Sequence, residues 1–389
     1  MKRVLGIFAG LLAILSLTTP SFAEQNLRAK VPALNRPNIT QDSVAPLSVI
    51  TPAAIVKTDD NRSLPVAAVT SRSAALIAHM PQSGHAVLPE PLWLAELNLW
   101  RRMAGLNVIV ENSKLSLGSA EHARYLVVQG PADVTGFRAY DRSIGPRAHV
   151  EETASRYYTR AGAIAAIGGP LAADVIQGAD VAWEGRNESG DIDSLITAPF
   201  HRLSLLAPWA QIGGYGSFGE YPRRAAALAL RGPLKSLRRI QAIEFPPPNS
   251  VISLNMLSGS EWPNPIAACH GFERPVGLPI TVQTGHRIAL HHSSICDNAS
   301  HEIIETCGLD AATYRNSDSV QQKRGRELLN AYGAVMLIPR RPLSFGHQYS
   351  VAVQTSQGNF DWSFEVKPAA EMETAQTQRT SLTQATVTR

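Results

Sequence analysis

The sequence predicts an α+β fold, in which a layered domain of helices and strands is followed by a small all-β sandwich. Two observations point there. From Pro91 to about Thr197 the apolar residues fall at helical spacing, and strands come after, with no regular strand–helix alternation of a doubly wound sheet. From about Ile240 the period shifts toward two, in short apolar segments bounded by Gly, Pro, Asn or Ser.

The elements follow in order. PLWLAELNLWRRMAG places Leu92, Leu97, Leu99 and Trp100 at mixed helical spacing, with Gly105 as its C-cap. A second helix is expected over about Leu117 to Gln129, with Ala120, Ala123, Leu126 and Val127 turned inward. A third covers about Ala161 to Ile167 before Gly168-Gly169-Pro170 breaks it. A fourth runs from Ile192 to about Thr197, with Asp191 and Asp193 suited to the positive end of the helix dipole. FHRLSLLAP, after Pro199, reads as a compact turn or short helix. AQIGGYGSFG and RAAALALRG read as partner strands, the glycines marking tight packing rather than a phosphate loop, since no lysine follows at the right offset. VISLNML, LPITVQT, RIALHHSS, GAVMLIP, YSVAVQT and WSFEV are the expected sandwich strands, the last ending near Val366.

The ends have a different character. Lys2 and Arg3 precede the apolar run LGIFAGLLAILSL, and Ser21-Phe22-Ala23 sets small residues at the two positions a signal peptidase reads. The run falls short of the roughly 20 residues a membrane span needs, and no cysteine follows it to take a lipid. Residues 1–23 are therefore expected to be a cleaved signal, and the protein secreted or periplasmic without a transmembrane anchor. Residues 24–89, rich in Pro, Ser, Thr and Asn, read as an extended arm or linker. The sandwich is expected over 240–367 and a disordered tail over 368–389.

At 389 residues the chain has room for two domains. A formal charge of +4, scattered and without an aromatic stacking pattern, excludes a nucleic-acid partner. Three cysteines, Cys269, Cys296 and Cys307, all lie in the last third and in no metal-type spacing. Cys296 and Cys307 are the nearest pair in sequence, but all three single-bridge pairings stay open, and oligomeric state is not legible.

No G-x-S-x-G elbow, P-loop, H-E-x-x-H or dinucleotide loop is present. The candidates for chemistry are His149, Glu151, Glu184 and His201. His149 and Glu151 share one face if their segment is extended. Two histidines with carboxylates suit a divalent metal such as zinc, with His149 and His201 as ligands, and equally suit general acid–base work. The plainer alternative makes His201 an internally bonded structural residue and His149 a surface one. Ser204 and Ser217 have no activating neighbour in sequence. His291, His292 and His301 read as surface positions, because adjacent strand residues face opposite ways.

From about Leu97 to Arg231 the chain resembles the bacterial branch of the CAP superfamily, the SCP-like or cysteine-rich-secretory-like extracellular domain. The matching stretches are LNLWRRMAGLNVIVENSKLSLGSAEHARYLV, AHVEETASRYYTRAG and SLITAPFHRLSLLAPWAQIGGYGSFG, the last resembling the family's HR-x-x-L-L-x-P segment before a G-x-G strand. The following region is similar to the Ig-like domain that often trails this branch. The resemblance implies a three-layer α-β-α sandwich over 90–235, then an Ig-like sandwich. It also implies a surface cavity with two histidines and two acids, in which His149 and His201 match the histidines and Glu151 and Glu184 stand for the acids. The family's Glu-Asn is absent where Ile167-Gly168-Gly169-Pro170 stands, the acid before the last histidine is missing unless Asp193 replaces it, and no cysteine falls in this domain. The implied function is binding of a small ligand, a surface polymer such as a polysaccharide, a lipid or an envelope protein. The alternatives are a hydrolase such as a peptidase, using both histidines with a carboxylate, or a purely structural module.

Overall fold

The computed structural model describes residues 90–129, 148–170, 175–183, 185–220, 223–233 and 241–372. The expected signal, the arm over 24–89 and most of the tail lie outside them. The chain from Leu92 to Val366 is mixed α and β throughout.

Helix α1 (Leu92–Met103) buries Trp93, Leu94, Leu97 and Trp100, whereas Leu92 and Leu99 face outward. It closes on Gly105, whose positive φ suits its place after the last turn. Strand β1 (Val110–Glu111) leads into α2 (Ser113–Gln129), and α3 (Arg160–Ala166) is capped by the Thr159 side chain. Strands β2 (Gly169–Pro170) and β3 (Val175–Ala182) precede α4 (Glu188–Thr197) and α5 (Pro199–Leu205). Proline at the first position of α5 loses no hydrogen bond there. The hairpin β4 (Ile212–Glu220) and β5 (Arg223–Pro233) completes a sheet of order β1-β4-β5-β3-β2. All its pairings are antiparallel except β1 with β4.

This sheet is covered on both faces. Along β5, Ala225 and Ala227 pack with Ala123, Tyr125 and Leu126 of α2, and Ala229 packs with Leu115 of α2 and Ala165 of α3. The alternate residues Ala226, Leu228 and Leu230 join the other core with Trp93, Leu97, Ile192 and Trp209. The period of two is visible in the sequence as small and large residues alternating toward two helical layers. Arg101, fully buried, donates to the carbonyls of Asn107, Leu205, Ala207 and Ala210, and so ties α1 to the chain leaving α5.

The remainder builds two facing sheets from β6 (Ile243–Phe245), β7 (Val251–Ile252), β10 (Ile280–Gln283), β11 (Leu290–Asp297), β12 (Glu302–Ile303), β13 (Thr306–Leu309), β14 (Ala334–Pro339), β15 (His347–Thr355) and β16 (Gly358–Val366). Their orders are β13-β14-β10-β6 and β12-β11-β15-β16-β7. Strands β8 (Met256–Leu257) and β9 (Val276–Gly277) form a small separate pair. Ile280, Val282, Val335 and Leu337 meet Ile295, Val351, Val353 and Phe364 in the same core as Trp93 and Trp100. The two regions thus share one apolar interior.

Two expectations are corrected here, and the cysteine pairing left open by the sequence is settled. The span 240–367 is not all-β, because α6 (Ser319–Tyr332) runs through it, capped by Asp318 and ended by Gly333 in the left-handed region. Strand β14 does not alternate and is buried along its whole length, since Ala334, Met336 and Ile338 pack with Leu329 of α6 and with Phe200 and Leu203 of α5. The disulfide joins Cys269 to Cys307, with Cα atoms 5.7 Å apart, and Cys296 is free. The pair nearest in sequence is separated by the fold: Cys296 sits on β11 and Cys307 on β13, in different sheets. A bridge of this kind suits an oxidising compartment. Among the described residues no helix is long and apolar enough to cross a membrane. At the chain's end, the backbone N–H of Glu371 and of Met372 donate to the Pro368 carbonyl, so the expected tail begins with a helical turn.

Candidate functional site

His149 and His201 line one cavity of about 520 Å³. Its wall draws Ala148, Val181 and Trp183 from the first region and Glu261, Trp262, Asn264, Arg274 and Asp318 from the second. The cavity lies where the two regions meet, because α5 packs its Phe200 and Leu203 against the second region while presenting His201 beside them.

Each histidine is held through the same nitrogen. His149, in a short turn rather than an extended segment, pairs its Nδ1 with the Ala166 carbonyl at 3.1 Å. A carbonyl only accepts, so this Nδ1 bears the proton and Nε2 bears the lone pair in the neutral ring. His201 pairs its Nδ1 with Glu261 Oε1 at 2.8 Å, and the same oxygen accepts from the His201 backbone N–H at 2.8 Å. Neither Nε2 has a bonding partner among the described residues.

The two rings are driven apart in basicity. Burial, then electrostatic repulsion from the neighbouring imidazoles of His201 and His122, push His149 down to about 4. Burial alone would lower His201 too, but the hydrogen bond and charge of Glu261, helped by Asp180, reverse this and raise it. Near neutral pH the cavity thus offers a neutral imidazole acceptor and an imidazole inclined to hold a second proton. Behind them, burial raises Asp180 to about 6, against the opposing pull of His201 and of Ser204, whose hydroxyl donates to it at 2.5 Å.

The depressed His149 pKa fixes a sign. Between about 4 and the ordinary value of 6.5 the unfolded chain takes up a proton that the folded chain refuses, so His149 removes stability as pH falls through that window. His149→Gln cannot take up that proton. The variant's urea midpoint, compared with the parent's, should shift in the variant's favour as pH drops from 6.5 toward 4. Equal pH slopes in the two proteins would refute the assignment.

Among the predicted acids, Glu151 is not part of this cavity. It is buried against His122, with Oε1 2.9 Å from His122 Nδ1, and Oε2 accepts from the Thr159 backbone N–H at 3.0 Å. Glu184 lies outside the described residues. Asp193 does not replace the missing acid either: it accepts from Trp100 Nε1 at 3.0 Å, on the α1–α4 contact. The carboxylate at His201 is Glu261, 60 residues further on and in the second region. No motif in the sequence marked it. Ser204 is committed to Asp180, and His291, His292 and His301 are exposed, as expected.

A complete metal-ligand set is not assembled among the described residues. They hold no group of three or more His, Cys, Asp or Glu arranged to bind an ion. His149 and His201 alone would leave half of a tetrahedral shell to other ligands.

No protein-family model matches the chain, and no curated protein matches it. Among solved structures the chain is similar to the crystal structure of CopC from Methylosinus trichosporium OB3b, at 12% identity over 32% of this chain and 90% of that chain, with a TM-score of 0.18.

Proposed function

We propose that this is an exported CAP-like protein that binds a ligand through the cavity holding His149 and His201. In this reading residues 90–235 form the CAP-like α-β-α sandwich, and the two facing sheets within 240–367 form an Ig-like sandwich into which α6 is inserted. Support comes from the sheet covered by helices on both faces, and from the facing pair of sheets that follows it. The single observation that carries the reading is the convergence of the two histidines on one cavity, each with Nδ1 held and Nε2 unspent. Such a pair gives a ligand one acceptor and one donor at fixed positions. The disulfide and the signal-like start support export.

Hydrolysis is the second reading, and one observation favours it. A carboxylate–imidazole contact beside a second imidazole of much lower basicity is a usable acid–base arrangement, with Glu261 in the place expected of Glu151.

Thermal-shift measurements on the mature chain against panels of oligosaccharides, peptides and lipids test the binding reading. A stabilising ligand should appear, and its shift should vanish in His201→Ala and shrink in His149→Ala. A panel with no stabilising member, or a ligand whose shift both variants keep, overturns it.

A further inference from the structure

We infer that the cavity takes an uncharged saccharide segment, with Trp183 and Trp262 as its stacking walls and Asn264 and the two histidines as its hydroxyl contacts. The inference rests on the ligand-binding reading above and narrows it to one ligand class.

The wall composition excludes the other classes in turn. Apart from the two indoles, its apolar lining is Ala148, Val181 and Ala267, too little to hold an acyl chain or a sterol. Its charges offset one another. Arg274 and His201 are set against Glu261 and Asp318, so neither an anion such as a phosphate ester nor a polycation finds a net field. A peptide bound by strand addition needs an exposed sheet edge, and of the wall only the buried Val181 lies in a strand, the rest coming from loops, turns and helix starts. A sugar ring fits what is left. Its C–H face is a flat apolar patch that stacks on an indole, and its rim of hydroxyls needs individually aimed donors and acceptors rather than charge.

The polar wall is fixed in advance. Asn264 Oδ1 accepts from Arg274 Nη2 at 2.8 Å and from the Ile266 backbone N–H at 3.3 Å, which orients the amide and leaves Nδ2 with no bond among the described residues. The Asn264 backbone N–H donates to Gln321 Oε1 at 2.9 Å, and Tyr314 donates to the Asn264 carbonyl at 2.8 Å, so the loop carrying Glu261 and Trp262 is pinned to the start of α6. With both histidine Nε2 atoms, the wall offers donors and acceptors that need little ordering when a ligand arrives.

The test is titration of the mature protein with neutral cello-, malto- and chito-oligosaccharides, read by tryptophan fluorescence and calorimetry. At least one series should give saturable binding that Trp262→Ala and Trp183→Ala each weaken about tenfold or more. Asn264→Asp, which keeps the shape and removes the amide donor, should weaken it without shifting the melting temperature by more than a few degrees; this keeps the test open if a tryptophan variant fails to fold. Binding of a lipid or peptide that competes at the same residues, with no sugar bound, overturns the saccharide inference and leaves the cavity reading standing. If none of these oligosaccharides and none of the peptides and lipids of the wider panel binds, both readings fall.

Discussion

Gly216→Val should cost this protein most of its stability. A Cβ at Gly216 would lie 2.2 Å from the Ala120 backbone nitrogen and 2.4 Å from its Cα, both in α2. These are backbone atoms, so no side-chain rotation relieves the clash, and α2 must lift from the sheet. Gly214, on the same face of β4, stands equally close to Leu115, which marks a line of contact rather than one point. Overpacking by a movable side chain costs about 1–3 kcal/mol, and displacing a helix should exceed about 3 kcal/mol, against a typical total of about 5–15. Urea unfolding followed by circular dichroism should show a much lower midpoint, or no folded baseline. Gly168→Ala is the control. Gly168 is exposed, and its nearest atoms would be 3.6 Å or more away, so the change should stay within about 0.5 kcal/mol. A Gly216→Val protein that melts like its parent would disprove the close α2–β4 approach.

The glycines of β4 were legible because Gly214 and Gly216, two apart in a strand, leave one face bare of side chains at that point, and a close neighbour explains that. Helices α1 to α4 were legible for a similar reason, with buried positions at helical spacing, although α2 begins at Ser113 and α4 at Glu188, ahead of the expected Leu117 and Ile192, and α5 was read only as a compact turn or short helix. Helix α6 was not. SVQQKRGRELLNAY buries only Gln321, Gly325 and Leu329, so it has no apolar stripe to read. Its Gly325 looks like a breaker but leaves room for the Tyr314 ring, which a Cβ would meet at 2.4 Å. The remaining signals were its ends, Asp318 and Gly333. Strand β3 was missed as well, although it lies inside the sheet and pairs with β5 along its whole length.

The site was half legible. His149 and His201 stand out because each sits in a recognisable stretch. The acid did not, because sequence logic seeks a partner nearby or in the same domain. Glu151 met the nearness criterion and proved to serve His122, a histidine inside α2 that no spacing rule connects to residue 151. Glu261 met neither criterion. It reaches His201 because α5 is clamped between the first sheet and the β14 face, which places a second-region loop over the imidazole. A contact made by tertiary packing alone leaves no periodic trace in the chain.

The disulfide gives the other large expected effect. Cys269→Ser or Cys307→Ser should destabilise the oxidised protein by about 4 kcal/mol, within a usual range of about 2–5. The bridge spans a sequence separation of 38, so cutting it frees a long loop in the unfolded chain. It also fastens the segment that follows Glu261 and Trp262 to β13, with Cys269 buried beside Leu257, Ile266 and Val276. Loss of the bridge should therefore loosen the cavity wall as well as lower the melting temperature. Cys296→Ser should do neither, since Cys296 bonds only weakly to the Asp297 carbonyl, at 3.6 Å, on the sheet that does not hold Cys307. Thermal melts of the three single variants, each with and without a thiol reductant, separate the cases. The parent and Cys296→Ser should fall to the level of the other two on reduction, and those two should not respond. If Cys296→Ser instead behaved like Cys307→Ser, the alternative pairing suggested by nearness in sequence would be the native one. The loop bearing Glu261 would then hold its place by packing alone.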